Sequence, residues 1–208
     1  MEKTVKIVEA SFHIEDSLNG DAILEKIERC GRTAYKSEAK ITKESTRNFV
    51  ARILKSGHES VIEHVSVTVR IVCDRGVSHE IVRHRIASYT QESTRYCDYR
   101  SAGQITVIAP REFNSQFSYA EWQAAMQDAE QRYNNLRDLG EPPQIARSVL
   151  PNSLKTEIVV TMNLREWRHF FKLRTASAAH PQMREITIPL LAAFQSLVPV
   201  VFEDIVPE

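Results

Sequence analysis

Apolar residues fall at helical spacing in some stretches of this chain and alternate strictly in others. Between Asp21 and Ala34, the residues Ile23, Leu24, Ile27 and Ala34 share one side of a helical wheel, which predicts an amphipathic helix. Phe49, Val50, Ile53 and Leu54 predict a second, with Thr42 as its expected N-cap and Gly57 as its stop. Val65, Val67, Val69 and Ile71 alternate with Ser66, Thr68 and Arg70, the period of a half-buried strand. Asp74 is placed to cap a short helix carrying Val77, Ile81 and Val82. Ser88 to Tyr99 is polar and reads as a loop or an irregular extended segment, and Ile105 to Ala109 as a short strand ending at Pro110.

Trp122, Met126, Ala129, Tyr133, Leu136 and Leu139 mark the clearest helix, closed by Gly140, and its aromatic and methionine positions read as core. Pro143 opens a short helix that Pro151 closes, and Glu157 to Met162 is strand-like. Leu164, Trp167, Phe170 and Phe171 start another amphipathic helix. Pro181 begins a last one, with Met183, Ile186, Leu190, Leu191, Phe194 and Leu197 apolar and a kink or break expected at Pro189. Helices flanking a few separated strands point to an α+β fold rather than a regular βαβ series.

At 208 residues the chain suits one domain, 1–208, able to bury a core without disulfides. Lys plus Arg equals Asp plus Glu at 27 each, which argues against a basic nucleic-acid coat protein and an acidic disordered tail. No apolar run approaches the roughly 18 residues of a membrane span, and Met1 to Asp16 lacks the pattern of a signal peptide. No membrane partner and a cytoplasmic location are therefore expected. Cys30, Cys73 and Cys97 form no CxxC pair and read as reduced thiols. Neither GxGxxG, GxxxxGK[ST] nor GxSxG occurs. His79 and His84, five apart, would stand roughly 140° apart on a helix, so no metal site is expected.

Charge is unevenly distributed. Arg70 to Arg100 holds six arginines against four acids, and Arg165 to Arg184 holds four arginines and Lys172 against the single acid Glu166. Such arginines read either as solvated helix faces answering the helix dipole or as forked ligands for phosphates and planar rings. Arg83, His84 and Arg85 cannot share one helical face, since the two arginines would diverge by roughly 160° on a helix. They serve different ligands or subunits, or the helix ends there. Ser93 and Arg95 face the same way if their loop is extended, and a hydroxyl beside a guanidinium suits a phosphate.

Residues 83–96 resemble the signature RHRxxSxxxxSxRY of the flavin-dependent thymidylate synthases, with every fixed position present. His58-Glu59-Ser60-Val61-Ile62-Glu63-His64 is similar to the family's HE[ST]xxEH segment. Ala146-Arg147-Ser148-Val149-Leu150-Pro151 resembles its ARxxLP turn. Asn163-Leu164-Arg165, with His169 to Arg174, resembles its NxR…LR segment, and His180 to Glu185 a common start of its closing helix. These blocks run from about residue 58 to 186.

The resemblance implies an antiparallel sheet flanked by helices and conversion of dUMP to dTMP. It implies tightly bound FAD, with NADPH and 5,10-methylenetetrahydrofolate as co-substrates, and homotetramers with active sites shared between subunits. It assigns FAD to Ser60, Arg83, His84, Arg85, Gln91, Asn163, Arg165 and His169, and dUMP to Glu80, Arg83, Gln91, Ser93, Thr94, Arg95, Arg147 and Arg174. Arg174 is the expected catalytic group, set against the uracil edge, and His58 lies where the family keeps a histidine near the flavin. Two departures stand out: Thr90-Gln91 where many members have Asn-Glu, and His169 where some have Asn. No Pro-Cys pair occurs, so the resemblance implies chemistry without a cysteine nucleophile. No nucleic-acid partner is expected, since no RRM, KH or zinc-finger pattern accompanies the arginines. If Ser93 and Arg95 hold the 5′-phosphate, Arg95→Ala weakens dUMP binding measured by calorimetry while FAD stays bound, and unchanged nucleotide affinity refutes the assignment.

Overall fold

The computed structural model describes residues 5–101 and 103–208. Met1–Thr4, the start of the stretch read above as lacking a leader, lie outside the described residues. The chain opens with two short strands, β1 (Lys6–Val8) and β2 (Ser11–Ile14), then helices α1 (Gly20–Thr33) and α2 (Ser45–Lys55). A 3₁₀ segment over Glu59–His64 leads into β3 (Ser66–Asp74), α3 (Arg75–Ile81), β4 (Ala87–Gln91) and β5 (Thr106–Ile108). The long helix α4 (Gln116–Asp138), the short α5 (Pro143–Ala146), β6 (Lys155–Asn163), α6 (Leu164–Arg174), α7 (Pro181–Leu197) and α8 (Pro199–Phe202) complete it. Four strands form one sheet in the order β2-β3-β6-β4. Strands β3 and β6 run antiparallel: the Leu164 N–H donates to Val65 O while the Arg75 N–H donates to Leu154 O. The α+β class with an antiparallel sheet is the one expected.

The chain divides into two compact units. The first comprises 1–11, 71–83 and 90–158. Here β1 pairs in parallel with β5, Ile7 opposite Val107. Val5, Ile105, Val107, Met126 and Leu154 form its core, with Tyr99, Trp122 and Leu150 packed against it. The helix α4 lies where its wheel predicts, with Met126, Glu130 and Tyr133 buried. Leu139, expected in that stripe, is 82% exposed, because the helix ends one residue earlier.

The second unit comprises 12–70, 84–89 and 159–208. Its core is aromatic. Trp167 stacks on Phe171 with centroids 5.6 Å apart, Phe171 meets Phe194 at 5.2 Å, and Phe194 meets Phe202 at 5.2 Å. Trp167 also donates its indole N–H to Val67 O at 3.0 Å, which satisfies the polar atom its burial strands. Arg168, buried on the same helix, forks onto Asp204 at 2.6 and 2.7 Å.

Four local expectations change. Thr42 is not a cap: α2 begins at Ser45, whose Oγ accepts the Thr42 N–H at 2.9 Å and donates to Glu28 at 2.8 Å. Of the polar stretch 88–99, read as a loop or an irregular extended segment, the first part is extended but regular: Ala87–Gln91 is a strand. It is the edge strand β4, and an edge buries too little to carry an apolar signature. Residues 93–97 form a turn in which Ser93 O accepts from the Tyr96 and Cys97 N–H groups, so Ser93 and Arg95 do not share a face by extended geometry. Pro189 does not break α7. An interior proline costs about 3 kcal/mol, but Ile186, Leu190, Leu191 and Phe194 are buried around it, at about 1.5–3 kcal/mol for each such side chain. Asp74 caps α3 as expected, accepting the Val77 N–H at 2.8 Å.

The first residue of α1 has no room for a side chain. A Cβ on Gly20 would sit 2.1 Å from Leu197 O, a backbone atom that cannot swing aside. Gly20→Ala is expected to lower stability by about 1–3 kcal/mol, read as a shift of the urea midpoint. An unchanged midpoint refutes the clash.

Candidate active site

The junction of β6 and α6 sets the chemistry of the second unit. Asn163 ends the strand with extended backbone, and its side-chain oxygen accepts the Glu166 N–H at 2.9 Å. This cap fixes the first helical turn and so places Glu166, 7% exposed, on the buried side. Three and four residues on lie His169 and Phe170, and Arg174 ends the helix half-buried.

Against this face sits His84, 5% exposed. Its ring makes edge contacts with Phe170 at 4.9 Å and His169 at 5.6 Å. Arg174 Nε donates to His84 Nε2 at 3.0 Å, and His84 Nδ1 lies 3.3 Å from Glu166 Oε1. The Tyr89 hydroxyl donates to the His84 carbonyl at 2.5 Å. Burial first, then the Arg174 charge, then His169, push the His84 pKa down to about 4. Burial also raises the Glu166 pKa, opposed by His169. His84 is thus neutral at pH 7, and its partners assign the proton to Nδ1.

His84, Glu166 and His169 place ligand-capable atoms within 4.8 Å of one another, the one such group among the described residues. A guanidinium 3.0 Å from His84 Nε2 repels a cation there, so the group reads as a polar relay centred on His84 rather than as a metal site. Around it opens a cleft of about 480 Å³ of mixed charge, lined by Glu59, Glu63, Ile86, Asn163, Arg165, Glu166, Arg168, His169 and Lys172. Arg165 is not a bare cation, since it pairs with Glu63 at 2.6 Å and approaches Glu59 at 3.7 Å. It also lines a second cleft with His58, Ser60 and Tyr35. His180 caps α7, its Nδ1 accepting the Gln182 N–H at 3.3 Å. Arg83 and Arg85 are exposed and lie beyond α3, which ends at Ile81; the opposed-faces argument for them lapses, and the alternative that the helix ends there holds.

In the first unit Arg147 Nη1 donates to buried Thr94 at 3.3 Å. Gln91 is tied back into the protein, its amide donating to Ser78 at 2.8 Å and Thr156 at 3.2 Å. Ser93 Oγ accepts the Arg95 N–H at 3.3 Å. Arg95 is exposed and lies over the Tyr96 ring at 5.3 Å, and Glu80 is half-buried on α3. Glu92, adjacent to Gln91, accepts from Tyr99 at 2.7 Å and Lys155 at 3.1 Å.

Sequence reasoning counted Glu166 only as a charge. A signal was present: it is the lone acid among five cations, three residues after an Asn that begins a helix. The contacts of Tyr89 and Phe170 with His84 carried no such signal, because apolar spacing alone explains Phe170.

Fold and clusters together define an α+β protein with a polar cleft of mixed charge beside the His84–Arg174 contact. The family model for the thymidylate synthase complementing protein matches residues 20–200. A flavin-dependent thymidylate synthase of Geobacter sulfurreducens is 38% identical over 169 residues, covering 81% of this chain and 73% of that protein. One from Mycolicibacterium gilvum is 34% identical over 211 residues, covering 92% and 83%. The crystal structure of a UMP/dUMP methylase, PolB from Streptomyces cacaoi, bound with 5-Br dUMP, aligns over 96% of each chain with a TM-score of 0.80 at 23% identity, a likeness of fold. The chain belongs to the flavin-dependent thymidylate synthase family.

The buried relay makes stability pH-dependent. Unfolded, His84 takes a proton near the ordinary histidine value of 6.5, whereas folded it resists to about 4. The unfolded state therefore binds more protons in that window, and acid favours unfolding by about 3 kcal/mol through this group. Glu166 acts oppositely, since its raised pKa lets the folded state take a proton first. Urea unfolding should show stability falling from pH 6.5 towards 4 more steeply in the parent than in His84→Gln. Parallel pH curves would refute a neutral, buried imidazole.

Proposed function

We propose that this protein catalyses reductive methylation of dUMP to dTMP. The carbon comes from 5,10-methylenetetrahydrofolate and the electrons from NADPH by way of FAD, with no cysteine nucleophile. The observation that carries this reading is the contact of Arg174 with His84, 90 positions apart in the chain, which joins the RHR motif to the NxR…LR segment. Asn163, Arg165 and His169, three of the residues expected at the flavin, line one cleft beside that contact. An exposed imidazole, the exposed Ile86 side chain and cationic donors match the needs of a planar ring with phosphates.

FAD, held by Ser60, Arg83, His84, Arg85, Gln91, Asn163, Arg165 and His169, supplies redox capacity that no side chain offers. Ser93, Thr94 and Arg95 hold the nucleotide phosphate, helped by Arg147 and, toward the nucleotide, by Glu80 and Arg83, while Gln91, whose amide N–H groups are taken by Ser78 and Thr156, supports the loop that carries them. The turn at residues 93–97 changes how that phosphate is met: Ser93 orders the loop by capping the Arg95 N–H, and Arg95 supplies the charge. Arg174 activates the ring. Uracil C5 becomes a better nucleophile when negative charge on the N3–C4–O4 edge is stabilised. A guanidinium stays charged throughout and donates no proton of its own.

The cysteines support a mechanism without thiolate attack. Burial raises the Cys73 thiol far above neutral, and Cys30, Cys73 and Cys97 are all free. Free thiols also accord with the cytoplasm, and among the described residues no helix is long and apolar enough to cross a membrane. The single continuous family match over 20–200 supports treating 1–208 as one functional domain. A homotetramer with shared active sites is part of the same proposal.

The purified protein should show oxidised-flavin absorption that bleaches with NADPH without oxygen. Arg174→Ala should retain both properties yet lose about 10²–10³ in dTMP formation. A protein colourless even after FAD addition, or an Arg174→Ala variant at the parent rate with saturating dUMP, overturns the reading.

A further inference from the structure

Glu166 has no role in the reaction as described, yet it is buried on the face of α6 that carries the relay. Its Oε1 lies 3.3 Å from His84 Nδ1, while His84 Nε2 accepts Arg174 Nε at 3.0 Å. We propose that Glu166 is a positioning residue: by accepting the Nδ1 proton of His84, it holds the one imidazole tautomer that can receive the Arg174 guanidinium, and so aims Arg174. The inference rests on the ring-activating role proposed for Arg174.

The argument is one of proton count. A neutral imidazole has one N–H and one lone pair. With the proton on Nδ1, it donates to the carboxylate and Nε2 accepts from the guanidinium, so both contacts attract. With the proton on Nε2, two N–H groups face each other on one side and a lone pair faces a carboxylate on the other, so both contacts repel. A doubly protonated ring also sets N–H against N–H, beside a permanent cation. The other groups facing the ring do not choose between tautomers: Phe170 and His169 meet it edge-on, and Tyr89 bonds the backbone carbonyl. Arg174 and Glu166 favour the same tautomer from opposite sides of the ring, and Glu166 supplies the acceptor without which the Nδ1 proton would be buried unpaired. The contact engages Nε, at the base of the guanidinium fork, so it sets the plane in which the fork lies.

What matters on this account is an acceptor at position 166, not its charge. In the holoenzyme, Glu166→Ala should lower kcat for dTMP, per bound flavin, about 10- to 100-fold. Glu166→Gln, whose amide oxygen still accepts, should recover most of it. Histidine labelled with ¹⁵N, with His84 assigned by its loss in His84→Gln, should show Nδ1 protonated and Nε2 bare in the parent and in Glu166→Gln. A proton on Nε2 in the parent, a Glu166→Ala variant at the parent rate, or a Glu166→Gln variant as slow as Glu166→Ala each overturns the proposal. If Glu166→Ala fails to fold, the Glu166→Gln rate and the parent tautomer decide it. A parent that makes no dTMP refutes the functional reading instead, and the tautomer is still read independently.

Discussion

A neutral imidazole buried between a guanidinium and a carboxylate is the constraint on which the rest of this site depends. Histidine in water is poised to charge near neutrality. Burial and the neighbouring Arg174 remove that option for His84, so the ring must act as donor on one side and acceptor on the other. A neutral imidazole offers a donor and an acceptor at separate positions of one rigid ring with no net charge. A lysine or glutamine there would lack one function or the rigidity, and the permanent charge of Arg174 would lose its matched acceptor. Charge is thus concentrated where the structure can aim it, at the end of α6, rather than dispersed over the ring.

The helix α6 is able to present this arrangement because its other face is anchored. Trp167, Phe170 and Phe171 are fully buried, Trp167 is tied by its indole to β3, and Arg168 is forked onto Asp204. The Asn163 cap fixes its start. A helix so held has little freedom to rotate, and a one-residue rotation of about 100° would carry Glu166 and Arg174 off the His84 face together. Packing far from the chemistry therefore sets the distance at which the chemistry is possible.

Most of the fold was legible because its elements advertise themselves through apolar period. The alternation of 65–71, the stripe of α4 and the aromatic spacing of α6 each survive into the structure. What failed was governed by neighbours rather than by local pattern. The edge strand β4 shows polar residues because half its backbone and one face meet no core. Thr42 lost its cap to Ser45 because Ser45 reaches Glu28 on another helix. Pro189 sits inside α7 because burial around it outweighs one missing bond. In the site, motif resemblance picked out His84, His169 and Arg174 by position, but it could not show that two of them touch. Glu166 stood out only as a lone acid among cations just after a capping Asn, since its meaning lies in a ring 82 positions earlier.

The departure at Gln91 shows how a lost charge can be absorbed locally. Its amide bonds Ser78 and Thr156, two hydroxyls that are weak partners and accept any orientation. A carboxylate at the same point could accept from both hydroxyls, yet it would be partly buried with no cation bonded to it, which costs more than a buried amide does. The adjacent acid, Glu92, is in contrast satisfied twice over, by Lys155 and by the Tyr99 hydroxyl, and it is the acid that burial in this loop can sustain. Those bonds tie Glu92 to the core of its own unit, so it is no substitute for an acid at 91. Around the phosphate, the binding of the nucleotide, as proposed, is left to neutral hydrogen bonds and arginine charge, which suits a phosphate better than a further negative group beside Glu80 would.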